Sequence, residues 1–206
     1  ASDVYKRQED FSKYFIRSEY KAAQNGFVQP YADSPMDDEQ VGEEVYISMV
    51  NKAEKYCWFM TPYLIITDEM THALTLAAKR GVDVRIITPG IPDKKQIYSI
   101  TRSFYHGLVK DGVRIYEWTP GFCHAKMSVA DDCMATCGTI NLDYRSLYHH
   151  FENGCFMTDC DAVLDIRNDL EATMKECREV TEKYRVGRSA YLRLGQLFMR
   201  LFAGLL

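Results

Sequence analysis

Long apolar runs are missing from this sequence. No stretch of about 18 uninterrupted hydrophobic residues occurs in its 206 positions, so none reads as a membrane-crossing helix. Six prolines and twelve glycines are too few for collagen-like or low-complexity character. No excess of positive charge is present either. The formal net charge is −4 and the isoelectric point about 5.8, which argues against a dedicated nucleic-acid binder. None of the seven cysteines forms a CxxC pair. They read as small buried hydrophobes in a reducing compartment, with a zinc site as the poorly spaced alternative.

What is present is globular. Hydrophobic residues make up 47% and charged residues 26%, which rules out disorder along the whole length and suits one domain of ordinary size. Residues 1–8 are mostly polar and fit no later pattern. They read as a non-native scar, with no signal peptide, on a chain that reads as a fragment. Residues 9–38 contain Gly26, Pro30 and Pro35 and read as an irregular connecting segment.

Residues 39–184 alternate strand and helix signals. A helix is predicted over 39–54, with Val41, Val45, Met49 and Ala53 on one stripe. Tyr56–Thr61 reads as a buried strand. Met70, Ala73, Leu74 and Ala77 mark a helix capped by Thr67 or Asp68 and ended by Gly81. Val82–Thr88 is the next strand, followed by a helix to Lys110 and a strand over Val113–Trp118. This order predicts an α/β fold with a parallel component. The character then changes. His124–Ala130, an Asp131-Asp132 turn and Cys133–Cys137 predict a hairpin, Asn153–Thr158 a further strand, and Val163 through Cys177 a long amphipathic helix. Residues 185–206 hold four arginines and no acid, with Leu194, Leu197, Phe198, Leu201 and Phe202 at helical spacing. This basic amphipathic tail fits the interface of an anionic membrane and, equally, the body of the protein.

The segment from His124 to Glu152 is polar where a core hairpin should be apolar. His124 and Lys126 are two apart on a predicted strand, so both are expected on one face, with Ser128 continuing it. Gly138 allows close backbone approach to a ligand, and Asn141 can donate from its amide. An imidazole, an ammonium and an amide donor together suit an anionic phosphodiester: the imidazole attacks or protonates, and the other two stabilise the phosphoryl oxygens.

The spacing of His124, Lys126, Asp131, Gly138, Thr139 and Asn141 resembles the phospholipase D superfamily signature, HxK(x)4D(x)6G[ST]xN, at every interval. The stretches around Thr61-Pro62-Tyr63, Arg80–Ile86, Pro89–Asp93, Gly112–Glu117, Thr119–Lys126, Gly138–Ser146 and Phe151-Glu152-Asn153 are similar to the bacterial cardiolipin synthase branch. The resemblance covers about residues 27–206 and aligns with the C-terminal half of such an enzyme and the second of its two signatures.

That resemblance implies a phospholipase D-like mixed β-sheet flanked by helices, one domain plus the C-terminal amphipathic helix. It also implies transfer of a phosphatidyl group between two phosphatidylglycerol molecules through a phosphohistidine, giving cardiolipin and glycerol. His124, Lys126, Asp131, Asn141 and Glu152 are the expected catalytic group, and Lys126, Thr139 and Asn141 would touch substrate. Glu152 would hydrogen-bond the motif histidine. Asp131 is expected as a structural member at the strand end. Whether His124 is nucleophile or acid/base stays open. The expected partners are phosphatidylglycerol and anionic membrane lipids, with the N-terminal half of the enzyme or a second copy, and no nucleic acid. The expected place is the bacterial cell membrane, with the catalytic part on the cytoplasmic side. No metal or cofactor is called for. Asp143 and Arg145 are expected to brace the loop as an ion pair, and His149 and His150 to be ordinary loop residues. The competing readings are a phosphodiesterase using water and an inert membrane-binding half.

Overall fold

The alternation of apolar residues inside the short strands requires cover on both faces, and the fold supplies it. A computed structural model describes residues 11–14, 21 and 23–186. The predicted scar and most of the predicted tail lie outside the described residues. Elements run β1 (Phe27–Asp33), α1 (Val41–Lys52), β2 (Tyr56–Met60), β3 (Leu64–Ile65), α2 (Asp68–Lys79), β4 (Asp83–Pro89), α3 (Lys95–Lys110) and β5 (Arg114–Trp118). They continue with β6 (Met127–Ala130), β7 (Met134–Gly138), β8 (Leu142–Asp143), α4 (Tyr144–Tyr148), β9 (Glu152–Thr158), α5 (Asp161–Glu176), β10 (Cys177–Glu179) and α6 (Thr181–Arg185).

Eight strands form one mixed sheet in the order β1-β9-β7-β6-β2-β4-β5-β10. Its middle, β2-β4-β5, is parallel, and all other pairings are antiparallel. Strand periodicity divides the core in two. Cys57, Phe59, Val84 and Ile86 pack with α1, α2 and α3, whereas Trp58, Met60 and Ile87 pack with Val163, Leu170 and Met174 of α5. Among the described residues no helix is long and apolar enough to cross a membrane.

Local signals set the helices. Thr67 caps α2 by accepting from the N–H of Met70 at 3.0 Å. Gly81 and Gly112 follow α2 and α3 at φ +96° and +105°, a conformation that glycine adopts without a Cβ clash.

Three expectations change. The segment predicted as irregular contains β1, hydrogen-bonded to β9 with Pro30 opposite Cys155. Proline is compatible because β1 is an edge strand. The strand predicted from His124 begins only at Met127. The long helix stops at Glu176, because Cys177 turns extended at φ −82°, ψ 156° and begins β10 against β5.

The two ends of the sheet differ in kind. Gly81, Gly112, Asp131, Asp132 and Asp159, the positive-φ residues among those described, all lie in tight turns at one end. At that end Asp131 reaches across to the start of β2. Its carboxylate accepts from the backbone N–H groups of Glu54, Lys55 and Tyr56 at 2.7, 2.9 and 2.8 Å. The other end carries the longer loops, where β2, β4, β5 and β7 stop and β6 and β9 begin.

Removing the Asp131 carboxylate strands three backbone donors, and charged hydrogen bonds of this type contribute about 1.5–3 kcal/mol each before solvent takes over part of the role. Asp131→Ala is therefore expected to lower stability by about 2–4 kcal/mol, read from the urea midpoint. A loss below about 0.5 kcal/mol would contradict this role.

Candidate active site

The site forms where the loop entering β6 meets the loop leaving β7. His124 is exposed, while Lys126 keeps only 9% of its surface. Both precede β6, so strand alternation does not place them together. The lysine side chain folds back instead. Its Nζ lies 2.9 and 3.3 Å from Nδ1 and Nε2 of His124 and donates to the His124 carbonyl at 2.7 Å. Tyr63 and Phe122 flank the ring, with centroids 6.4 and 5.9 Å away.

Burial pushes the Lys126 pKa below its ordinary value of 10.5, and the charges of Glu152, Cys123 and Asp143 act against that shift. The ammonium is thus partly desolvated and still neighboured by negative groups. Asp143 is itself pushed up by burial, against the hydrogen bonds it receives from Ser146.

Two parallel residues of β3 pair with β8 and dock the second loop. The N–H of Leu142 donates to Thr61 Oγ1 at 3.1 Å, and that hydroxyl donates to the Tyr63 carbonyl at 2.8 Å. The result is an open groove of about 550 Å³ whose walls include His124, Lys126, Thr139, Asn141 and Glu152. Five of the residues expected in the site are thereby brought together.

Asp131 is not among them. It sits at the far end of β6, as a brace. Ser128, expected to continue the functional face, is sealed in the core, 2.6 Å from Thr136 Oγ1 and 3.6 Å from Met49 Sδ. Gly138 has a steric reason that ligand approach does not supply. A Cβ there would come 2.4 Å from the Asn153 carbonyl oxygen and 2.6 Å from the Gly154 Cα. Gly154, directly opposite, leaves room for the ring of Tyr31 on β1.

Glu152 also departs from expectation. Its carboxylate accepts from Ser146 Oγ at 2.9 Å and from Thr139 Oγ1, with His150 Nδ1 at 3.6 Å, while the polar partner of the His124 ring is Lys126. Asn141 donates through Nδ2 to Ser146 Oγ at 2.9 Å, and its buried Oδ1 has no partner among the described residues. Asp143 caps α4 by accepting from the Ser146 N–H at 2.8 Å, and Arg145 Nε donates to His150 Nε2 at 3.0 Å. Ser146 and His150 are the members sequence reasoning missed. A serine three residues after Asp143, the capping spacing, and six before Glu152 was the available signal.

A buried lysine beside an imidazole, facing an open groove with an amide and a carboxylate, offers charge and hydrogen-bond donors suited to an anionic phosphodiester. Comparison with known proteins agrees with the geometry. A domain family described as "Cardiolipin synthase, PLD-like domain" matches residues 46–174. This chain belongs to that family of phospholipase D-like domains. It is 34% identical over 181 residues to a protein named cardiolipin synthase 2 from Bacillus cereus, covering 88% of this chain and 35% of the relative. A cardiolipin synthase from Clostridium perfringens is 34% identical over 96% of this chain and 42% of its own length. An uncharacterized protein from Streptococcus mutans is 49% identical over 96% of this chain and 43% of its own. The chain thus spans about two fifths of the length of the curated relatives it matches. Among solved structures, a phosphatidylserine synthase from Haemophilus influenzae superposes with a TM-score of 0.67 at 16% identity, covering 87% of this chain and 46% of that one. A phospholipase D family member, Nuc, from Salmonella typhimurium gives 0.64 at 17% identity, covering 75% and 97%. At these identities the two structures bear on the fold alone.

The lowered Lys126 pKa sets a pH limit. The ammonium is present below its pKa and lost as pH rises through it, so a downward shift brings that loss earlier than 10.5. Binding of inorganic phosphate, followed by isothermal titration, is expected to weaken with a midpoint below 10.5. Lys126→Arg should carry binding past that point, because a guanidinium stays protonated. A wild-type midpoint at or above the ordinary value would contradict the burial argument.

Proposed function

We propose that this chain supplies one of two phosphodiester-binding motifs for phosphatidyl transfer between two phosphatidylglycerol molecules, yielding cardiolipin and glycerol. The observation that carries the reading is the Lys126 ammonium held against the His124 imidazole in an open groove. The relatives named cardiolipin synthase support the substrate class, and their greater length leaves room for a second motif.

In this reading one imidazole nitrogen attacks phosphorus, and the bond from phosphorus to the glycerol oxygen breaks. The opposing motif's histidine gives the departing glycerol its proton, leaving a phosphohistidine. It then takes the proton of a hydroxyl on a second phosphatidylglycerol, which attacks phosphorus and frees the first ring. Such proton transfers contribute about 10²–10⁴-fold. Lys126 neutralises the phosphoryl oxygens, and the Asn141 amide adds a donor; loss of one such donor costs about 10²–10³ in rate. Burial of most of the Lys126 surface withdraws the ammonium from water and strengthens its field. In this reading the other motif comes from the rest of the same protein or from a second copy, and the site works at the bacterial membrane on its cytoplasmic side.

The test uses the whole protein that carries this chain, expressed in a bacterium stripped of its own cardiolipin synthases. Thin-layer chromatography of lipids is expected to show cardiolipin, and His124→Ala should remove it. Undiminished cardiolipin in that variant refutes the reading, and phosphatidic acid as the product would assign water as acceptor.

A further inference from the structure

The buried Asn141 Oδ1 in the groove wall meets no donor among the described residues. The direction of the neighbouring hydrogen bonds accounts for it. An ionised carboxylate can only accept. Glu152 therefore receives the proton of Ser146 Oγ at 2.9 Å. A serine hydroxyl has one proton to give. Once it points at Glu152, the same oxygen can only accept from Asn141, 2.9 Å away. The amide must then present Nδ2 to Ser146 and turn Oδ1 away. The polarity runs one way, from amide to hydroxyl to carboxylate.

The hydroxyl itself has no freedom to wander. Ser146 is 1% exposed. Its backbone N–H is held by the Asp143 carboxylate at 2.8 Å, which caps α4. The second carboxylate oxygen of Glu152 is occupied by Thr139 Oγ1, which also accepts from the N–H of Asn153 at 3.0 Å. Both oxygens of the acid are thus tied to the loop that bears the motif.

We propose that Ser146 is a positioning residue of this site, converting the negative charge of Glu152 into a single fixed orientation of the Asn141 amide at the groove wall. The orientation exists without ligand, and only its consequence for catalysis rests on the phosphodiester reading. An amide already turned the right way spends no binding energy on ordering itself when phosphate arrives.

The experiment reads the Asn141 side-chain amide directly, by ¹H–¹⁵N spectroscopy of the labelled 206-residue chain. One Nδ2 proton is expected to exchange slowly with solvent. In Ser146→Ala that protection should fall about tenfold or more, and Ser146→Thr, which keeps the hydroxyl, should restore it. Inorganic phosphate should bind about tenfold more weakly to the Ala variant than to wild type or the Thr variant, equivalent to about 1.4 kcal/mol. Glu152→Gln supplies an independent test should Ser146→Ala fail to fold. The neutral amide is a weaker acceptor for the Ser146 proton, so the hydroxyl is freed to turn and the protection of Nδ2 should fall. Unchanged Asn141 exchange in either folded variant overturns the proposal. If wild type ignores phosphate while Asn141 responds as expected, the phosphodiester reading falls and the positioning role stands.

Discussion

The functional end of this molecule depends on keeping a lysine charged while most of its surface is withdrawn from water. Desolvation of an ammonium is costly, and the structure offsets it locally. The His124 carbonyl accepts one proton of Lys126, the imidazole faces it, and Glu152 and Asp143 supply the opposing field. His124 and Lys126 share the loop entering β6, Asp143 ends β8 and Glu152 begins β9. Their convergence therefore fixes the spacing between the strand entry at β6, the exit of β7 and the start of β9.

The sheet is organised around the same need. At one end, turns are tight and conformationally demanding, and Asp131 binds the chain leaving α1 to the β6–β7 turn. At the other end, strands stop early and loops run long, where side chains are free to converge. Asp131 and Lys126 thus flank the two ends of one strand, the first bracing the tight turns and the second lining the groove. The paired glycines Gly138 and Gly154 serve both. They let β7, β9 and the ring of Tyr31 on β1 pack closely at the point where the groove opens.

Much of the fold was legible. The strands β2, β4 and β5 and the helices between them follow from apolar runs, a threonine cap and two terminating glycines, all of which are local signals. The edge strand β1 was hidden by Pro30, whose missing N–H matters only in a central strand. The two-residue strands β3 and β8 carry no periodicity to read, and β10 was absorbed into a helical pattern because Cys177 continues its spacing. In the site, the intervals of the family resemblance pointed to His124, Lys126, Thr139, Asn141 and Glu152, which the structure brings to one groove. The same intervals drew in Asp131, which lies elsewhere, and gave no sign of Ser146.

Sequence by itself determined the layered α/β architecture, the family to which the chain belongs and the chemical class of groups available, because these follow from periodicity and from the identity of side chains. Tertiary structure alone decided which of those groups meet. The partners of Glu152, the direction of the Asn141 amide and the contact of Lys126 with the His124 ring depend on how side chains turn within and between the loops at this end of the sheet. Hydrogen bonds have direction and short reach, and neither property is written in the spacing of residues along a chain.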